Sequence, residues 1–173
     1  MKNLKTILIF LVFSNNIIAQ ESPVSSDVST AEAMFMYNIA RHLEYPINKR
    51  SEYFTIGVYG SSGYKQIETY FLNKKVGVRP ILVKKISTIE ELSECNILFI
   101  TFSRTKEMKL LEEKIKDWST LIITEKVGSI DLGSGINFLM IGDKLQYEIK
   151  PSNIEKYGIK ITTQLRSMAY KNY

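Results

Sequence analysis

Residues 54–64 read FTIGVYGSSGY, and this stretch decides the fold. Its first half, from Phe54 to Tyr59, is a run of β-favouring and mostly apolar residues, which breaks at Gly60 and Gly63. A helix-like segment, residues 64–73, follows directly. A buried strand, a glycine turn and an amphipathic helix in this order are typical of an α/β protein.

The same order of strand, turn and helix recurs beyond this stretch. The predicted segments are a strand at 80–86, a short helix at 88–94, a strand at 96–102, a helix capped by Thr105 and ending at Trp118, and a strand at 120–124. The strand at 96–102, NILFITF, is almost continuously apolar, as expected when both of its faces are covered. This alternation of strands and helices requires right-handed crossovers and a parallel sheet flanked by helices.

The pattern changes after residue 124. Residues 128–135 are a glycine-rich loop, and two strands at 136–141 and 145–149 follow, joined by Gly142-Asp143. Such a short glycine link predicts a hairpin. A short helix from Pro151 to Gly158 and a terminal helix from Thr162 or Thr163 complete the chain. The predicted fold class is α/β, with a mostly parallel sheet flanked by helices and a C-terminal antiparallel edge hairpin.

The first residues have the composition of a secretory signal peptide. Lys2 and Lys5 precede the apolar run 7–13, and Ile17-Ile18-Ala19 forms a small-residue exit. We therefore predict a signal peptide at 1–19, a flexible leader at 20–28, and a single domain at 29–173. The alternative is a retained membrane anchor, but the apolar run is short for a membrane span. A cleaved signal peptide predicts an exported, periplasmic protein.

Charge and cysteine content exclude some classes of function. The formal net charge of +5 falls to +3 without Lys2 and Lys5, and the lysines are scattered, which is not the pattern of a nucleic-acid-binding protein. The doublets Lys74-Lys75 and Lys84-Lys85 are interpreted as solvated surface. Cys95 is the only cysteine, so the domain folds without an internal disulfide. Its place before an apolar strand predicts a buried thiol.

Residues 31–44 are predicted to form a helix, with Ser29 or Thr30 as its cap and Pro46 beyond its end. Apolar residues surround this helix on nearly every side, whereas an ordinary surface helix has one apolar stripe. One hypothesis is a surface for a partner or for a homodimer, and the equally weighted alternative is a helix fully buried in the core. The predicted surface residues are Met34, Phe35, Met36, Tyr37 and Ile39.

The ends of the predicted parallel strands carry polar residues and glycines. In open parallel sheets, ligands bind at the carboxyl ends of the strands, and helix starts with an arginine favour an anion. The spacing of the glycines is not that of a dinucleotide-binding loop. A small anionic ligand and simple tight turns are the two interpretations. The candidate ligand-binding residues are Gly60, Ser61, Ser62, Ser103, Arg104 and Glu125.

No pattern of catalytic or metal-binding residues is evident. His42 is the only histidine, and neither Asp131 nor Glu125 has an evident partner for acid and base catalysis. A lone histidine without a second ligand beside it is a poor metal site. We therefore predict a protein that is not an enzyme and that uses no catalytic residue, metal or cofactor.

Several segments together resemble the YfiR family of periplasmic YfiR/HmsC-like regulators. They follow one another in the family's order over residues 28–170. The matching segments are AMFMYNIAR at 33–41 followed by EYP at 44–46, IGVYG at 56–60, CNILFI at 95–100, GSGINF at 133–138, YEI at 147–149 and QLRSMA at 164–169.

This resemblance implies a non-enzymatic regulator that binds the periplasmic part of a membrane-bound signalling protein, such as a diguanylate cyclase in cyclic di-GMP and biofilm control. The partner is a cyclase or another membrane sensor, and a small-molecule-binding module is the alternative function. Tyr45 and Lys150 stand where the family usually has Trp and Asn, and no second cysteine is present to pair with Cys95.

Overall fold

The structure, a computed structural model, describes residues 23–47 and 51–173. The predicted signal peptide and residues 20–22 of the predicted leader lie outside this range. The helices are α1 (Pro23–Ala40), α2 (Tyr64–Phe71), α3 (Met108–Ile115), α4 (Pro151–Glu155) and α5 (Thr163–Ser167). The strands are β1 (Leu43–Glu44), β2 (Phe54–Tyr59), β3 (Lys75–Val76), β4 (Arg79–Ile86), β5 (Ile97–Ile100), β6 (Leu121–Thr124), β7 (Ile136–Ile141), β8 (Lys144–Ile149), β9 (Lys160–Ile161) and β10 (Lys171–Asn172).

The main sheet has eight strands in the order β10-β8-β7-β6-β5-β2-β4-β3. From β4 to β7 the neighbouring strands are parallel, and β8 returns antiparallel to β7 through the turn Gly142-Asp143. The predicted parallel body and hairpin are therefore confirmed. The two-residue strand β10 lies outside β8, and β3 pairs antiparallel with β4 at the other edge. A separate small sheet joins β1 to β9.

The sheet changes its winding direction between β2 and β5. From β2 the chain crosses outward to β4, and it then returns to β5 on the opposite side of β2 before moving on to β6. Because both crossovers are expected to be right-handed, α2 and α3 belong to opposite faces of the sheet. The carboxyl ends of β2 and β5 thus flank a topological switch point, the position at which open α/β sheets leave a crevice.

The centre of the sheet is covered on both faces. Every residue of β2, β5 and β6 is buried, as the continuous apolar runs predict. Polar groups within this core are paired. Thr124 Oγ1 lies 2.8 Å from Asn137 Oδ1 and 3.0 Å from Ser134 Oγ, and Ser134 Oγ donates to the Ile136 carbonyl at 2.6 Å. These contacts fix the loop before β7 against β6.

Helix α1 differs from its prediction at both ends. It begins at Pro23, so residues 23–28 of the predicted leader are helical, and Ser29 and Thr30 lie inside the helix rather than at its cap. Proline suits a first helical position because the missing N–H has no partner there. The helix ends at Ala40, and Leu43–Glu44 pair with Lys160–Ile161 instead of extending it.

The other helices follow the prediction more closely, with local corrections. A 3-10 segment, Phe102–Glu107, precedes α3, and Thr105 donates to the Phe102 carbonyl at 2.8 Å instead of capping α3. Residues 89–91 form a single 3-10 turn where a short helix was expected. Thr162 caps α5 by accepting from the Leu165 N–H at 3.2 Å. Of the residues expected from helical spacing to face inward in this terminal helix, Leu165 is buried, whereas Met168 is exposed.

Candidate functional site

A polar cavity of about 470 Å³ opens where β2, β4 and β5 end. Four of the candidate ligand-binding residues, Gly60, Ser61, Ser103 and Arg104, meet in it. The cavity lies at the topological switch point, because Gly60 follows β2 directly and Ser103 and Arg104 follow β5. The remaining lining residues are Lys85, Ser87 and Lys106.

Gly60 is required by the backbone at this cavity. Its φ of +120° is a conformation that side chains disfavour, and a Cβ atom there would lie 2.0 Å from Thr101 Oγ1. Thr101 Oγ1 itself donates to the Tyr59 carbonyl at 3.1 Å, so the threonine is held in place by the end of β2. The glycine break recognised in the sequence is therefore the point at which β2 and the chain after β5 touch.

Arg104 is held in position by its neighbours. Its Nη2 donates to the Ser87 carbonyl at 2.9 Å, its Nη1 donates to Glu107 at 3.2 Å, and its guanidinium lies 5.2 Å from the centre of the Tyr59 ring. The Tyr59 hydroxyl also donates to Glu107. This bond and, to a smaller extent, Arg104 lower the pKa of Glu107, so its carboxylate is charged. Two hydrogen bonds and the Tyr59 ring thus fix Arg104, whose guanidinium carries further N–H donors.

Lys85 and Lys106 add two positive charges to the cavity. From the sequence, Lys85 was interpreted as solvated surface, and Lys106 was not singled out. Within the described residues neither makes an ion pair, although the Lys85 ammonium lies 5.8 Å from the Tyr64 ring. Lys85 pairs with Val58 in the sheet, one position before the end of β2. Lys85 could have been identified as a candidate site residue from its position near the end of the strand that lies next to β2.

Two of the candidate residues lie elsewhere. Ser62 does not line the cavity, and Glu125 faces α1 instead. Glu125 Oε1 accepts from the Phe102 N–H at 2.7 Å, and its carboxyl is hydrogen-bonded to Glu32. This is a structural role at the start of the segment that carries Arg104, in place of the predicted contact with a ligand.

The Glu32 side chain is the acidic group that sequence reasoning missed. Glu32 is only 3% exposed, and its side chain lies on the side of α1 that faces Glu125. Burial, followed by the negative charge of Glu125, raises the pKa of Glu32 to about 9. Glu32 is therefore protonated at neutral pH and donates to Glu125, which links α1 to Phe102. Its position on the most apolar helix of the sequence was the available signal.

The five predicted surface residues of α1 have different environments. Met36 and Ile39 are in the core, so they are unavailable to a partner of the folded chain. Phe35 packs edge-on against Phe138 at 6.0 Å and Tyr147 at 6.1 Å, while Tyr37 donates to the Lys75 carbonyl at 3.2 Å. Met34 is 49% exposed. Helix α1 packs between α2 and the β7–β8 hairpin, and this explains why two sides of it are covered.

A second depression of about 630 Å³ lies where the end of α1 meets β8 and α5. Its residues come from both ends of the chain, which is why no local pattern revealed it. His42 is one of them, and its Nδ1 lies 3.0 Å from Thr162 Oγ1. The lining residues are Phe35, Asn38, Ile39, Arg41, His42, Gln146, Tyr147, Gln164, Leu165 and Met168.

Within residues 23–47 and 51–173, no group of three or more His, Cys, Asp or Glu side chains is placed to hold a metal ion. Cys95 is buried, and burial raises the pKa of its thiol to about 12. In the same part of the chain, no helix combines the length and apolar character needed to cross a membrane.

Two solved structures share this fold at very low sequence identity. The ABC domain from Streptococcus pneumonia, solved in complex with L-Trp, has a TM-score of 0.53 and 10% identity, over 69% of this chain and 55% of that one. A conserved domain protein from Vibrio cholerae has a TM-score of 0.56 and 9% identity, over 84% of this chain and 60% of that one. This chain thus spans less than two thirds of either protein, and the likeness shows the fold alone.

Sequence comparison identifies the family. No curated protein matches the chain. The resemblance noted in the sequence is nevertheless confirmed, because the YfiR/HmsC-like family model matches residues 29–170. The chain therefore belongs to the YfiR/HmsC-like family.

Proposed function

We propose that this protein is a non-enzymatic regulator that acts in the periplasm by binding the periplasmic part of a membrane-bound signalling protein, such as a diguanylate cyclase. The observation that carries this proposal is the family match across residues 29–170, since the family is regulatory and acts with membrane signalling proteins. Such a role fits control of cyclic di-GMP synthesis. It requires only a stable binding surface and no catalytic group.

The end of α1 is the surface we assign to the partner. Met34, Asn38 and Arg41 follow one another at helical spacing, and Asn38 and Arg41 line the depression beside α5. Met168, 44% exposed, lies on the opposite wall. Exposed methionines suit a binding surface because their side chains adapt to a partner. We also propose this surface for a homodimer.

The test of this surface is Met34→Glu, with Met140→Glu as a matched control. Met140 lies on β7 instead of α1 and is 48% exposed, against 49% for Met34, so both substitutions place a charge at an equally accessible methionine. The tagged mature protein is expressed in its host, cross-linked to membrane proteins, and captured. Cellular cyclic di-GMP and sedimentation of the purified variants are measured in parallel.

We expect Met34→Glu to remain folded, to lose a captured membrane signalling protein, and to change cyclic di-GMP, while Met140→Glu behaves as the parent. A residue that contributes strongly to a binding surface costs about 2 kcal/mol or more when it is replaced, and a buried charge is expected to cost at least as much. Equal capture and self-association by the parent and both variants would reject the surface. Capture of soluble proteins alone, with unchanged cyclic di-GMP, would reject the proposed function.

Export is part of the same proposal. We infer that residues 1–19 are a signal peptide and that the mature chain consists of the leader at 20–28 and a single domain at 29–173, with the first helix of the domain extending back into the leader as far as Pro23. Mass spectrometry of the periplasmic fraction is expected to find a mature N-terminus near Gln20 or Glu21. An intact Met1 in that fraction would contradict the proposal.

A second candidate function is a binding module for a small anion. The observation that favours it is the cavity lined by Lys85, Arg104 and Lys106 at the switch point. Replacing Arg104 by Ala is expected to weaken an anionic ligand by about 1.5 to 3 kcal/mol, the range for a hydrogen bond to a charged group. Normal binding by that variant would place the ligand elsewhere.

A further inference from the structure

We infer that the cavity between the ends of β2, β4 and β5 binds a soluble phosphomonoester with a small polar organic part, such as a sugar phosphate. This inference deepens the second candidate function and is independent of the α1 surface. It rests on the charge of the cavity, on the prior positioning of its arginine, on its place in the sheet and on its size.

The charge of the cavity favours a ligand with more than one negative charge. Three cationic side chains, Lys85, Arg104 and Lys106, line it, and its described lining includes no carboxylate. Glu107, next to the cavity, is paired with Arg104 and with the Tyr59 hydroxyl, and Glu91 accepts from the Ser87 N–H. A phosphomonoester carries nearly two negative charges at neutral pH, whereas a simple carboxylate carries one.

The geometry of the donors favours a tetrahedral oxyanion. Lysine ammoniums and the arginine fork are the usual partners of phosphate oxygens. The hydroxyls of Ser61, Ser87 and Ser103 add neutral donors from three separate segments. Several donors from separate segments around one cavity suit the several oxygens of a phosphate better than the two coplanar oxygens of a carboxylate.

Arg104 is positioned before any ligand arrives. Its bonds to the Ser87 carbonyl and to Glu107 fix the guanidinium. Ser87 is itself held, because its N–H donates to Glu91 Oε2 at 2.7 Å. A donor that is already ordered loses less conformational entropy when the ligand binds.

The place of the cavity in the fold supports a ligand site. The turn after β2 and the 3-10 segment after β5 form its walls, so it is the crevice at the topological switch point. The same turn leads into α2, so the positive end of that helix dipole lies at the same edge of the sheet. The dipole adds to the attraction for an anion.

The size and lining define the organic part. A volume of about 470 Å³ exceeds what inorganic phosphate needs and lies in the lower part of the range of about 300 to 1,000 Å³ for small-molecule sites. The lining consists of glycine, serines and cationic side chains, with no apolar residue among its described members. Hydroxyl groups of a sugar suit such a wall, and an aromatic or aliphatic group does not.

Isothermal titration calorimetry on the mature protein tests the inference. Glucose 6-phosphate is titrated at about 0.15 M NaCl, where loose surface attraction is screened. Glucose and glucuronate provide the uncharged sugar and the carboxylate of similar size. The variants are Lys85→Ala, Arg104→Ala and Lys106→Ala, with Lys109→Ala as the matched control, since Lys109 lies on α3 and lines a different depression.

We expect glucose 6-phosphate to bind, glucose to give no heat, and glucuronate to bind at least about tenfold more weakly. Each cavity variant is expected to weaken glucose 6-phosphate by about tenfold or more, the loss of one charge-assisted hydrogen bond, and Lys109→Ala to bind as the parent does. Because Arg104 also contacts Tyr59 and Glu107, its variant can unfold. Lys106 makes no ion pair within the described residues, so Lys106→Ala keeps the test valid.

Three results would overturn the inference. The first is no binding of glucose 6-phosphate, glycerol 3-phosphate or inorganic phosphate by the parent, and the second is equal binding by all variants. The third is sedimentation with phosphatidic acid vesicles without heat from the soluble esters, which would place the phosphate on a lipid. None of these results changes the outcome for Met34→Glu, so failure of the ligand site and failure of the partner surface are distinguishable.

Discussion

The buried pair of Glu32 and Glu125 is expected to make the stability of the folded protein depend on pH. In the folded protein the pKa of Glu32 is about 9, against an ordinary value of 4.5. A carboxyl with a raised pKa stabilises the fold fully below its unfolded pKa. That stability is lost as pH rises toward the folded pKa, because the unfolded chain releases the proton first. The window here is pH 4.5 to 9.

The magnitude follows from the shift. Each pH unit within the window costs about 1.4 kcal/mol of unfolding free energy, so the range from pH 5 to pH 8 costs about 4 kcal/mol. Glu32→Gln removes this cost, because an amide does not titrate in this range. Its side-chain N–H can still donate to Glu125, which keeps the hydrogen bond. We therefore expect Glu32→Gln to gain about 4 kcal/mol relative to the parent between pH 5 and pH 8.

Urea unfolding at several pH values measures this gain. Trp118 is the only tryptophan and reports the transition by fluorescence. The difference between the unfolding free energies of Glu32→Gln and the parent is plotted against pH, after a check that the m-value is unchanged. Glu52→Gln makes the same chemical change at an exposed carboxyl and serves as the control. A constant difference between Glu32→Gln and the parent would refute the assignment of a neutral, buried Glu32.

Two further predictions concern stability. Reductant is expected to leave the melting temperature unchanged, since Cys95 is buried and is the only cysteine, and a large drop would show pairing between chains. Gly60→Ala is expected to destabilise the protein by more than the 1 to 3 kcal/mol of backbone strain alone, because its Cβ meets Thr101. Gly77→Ala is the control, having positive φ and open space around it, and equal losses for the two in urea unfolding would contradict the contact.

The body of the sheet was predictable because its signals are local. The apolar runs of β2 and β5 and the turn Gly142-Asp143 each determine their own structure within a few residues. Strand β1 was missed because two residues carry no periodicity, and Leu43 pairs with Ile161 from the far end of the chain. An element could be predicted when the residues that determine it are neighbours in the sequence, and it was missed when its partner strand lies far away in the chain.

The candidate anion site was predicted in part for the same reason. Gly60 and Arg104 directly follow recognisable strands, and their convergence follows from the parallel sheet. Lys85 pairs beside Val58 only because β4 lies next to β2, an order that the sequence does not state. The contact between Glu32 and Glu125 depends on how α1 crosses the sheet, which no local pattern encodes.

The packing of Phe35 has a consequence for how the chain folds during synthesis. This residue leaves the ribosome early, but its ring rests on Phe138 and Tyr147, which emerge near the end. Helix α1 can pack on α2 early, but the side that carries Phe35 is not covered until the β7–β8 hairpin is made. Such long-range closure slows folding and leaves that side exposed to aggregation until the hairpin has formed.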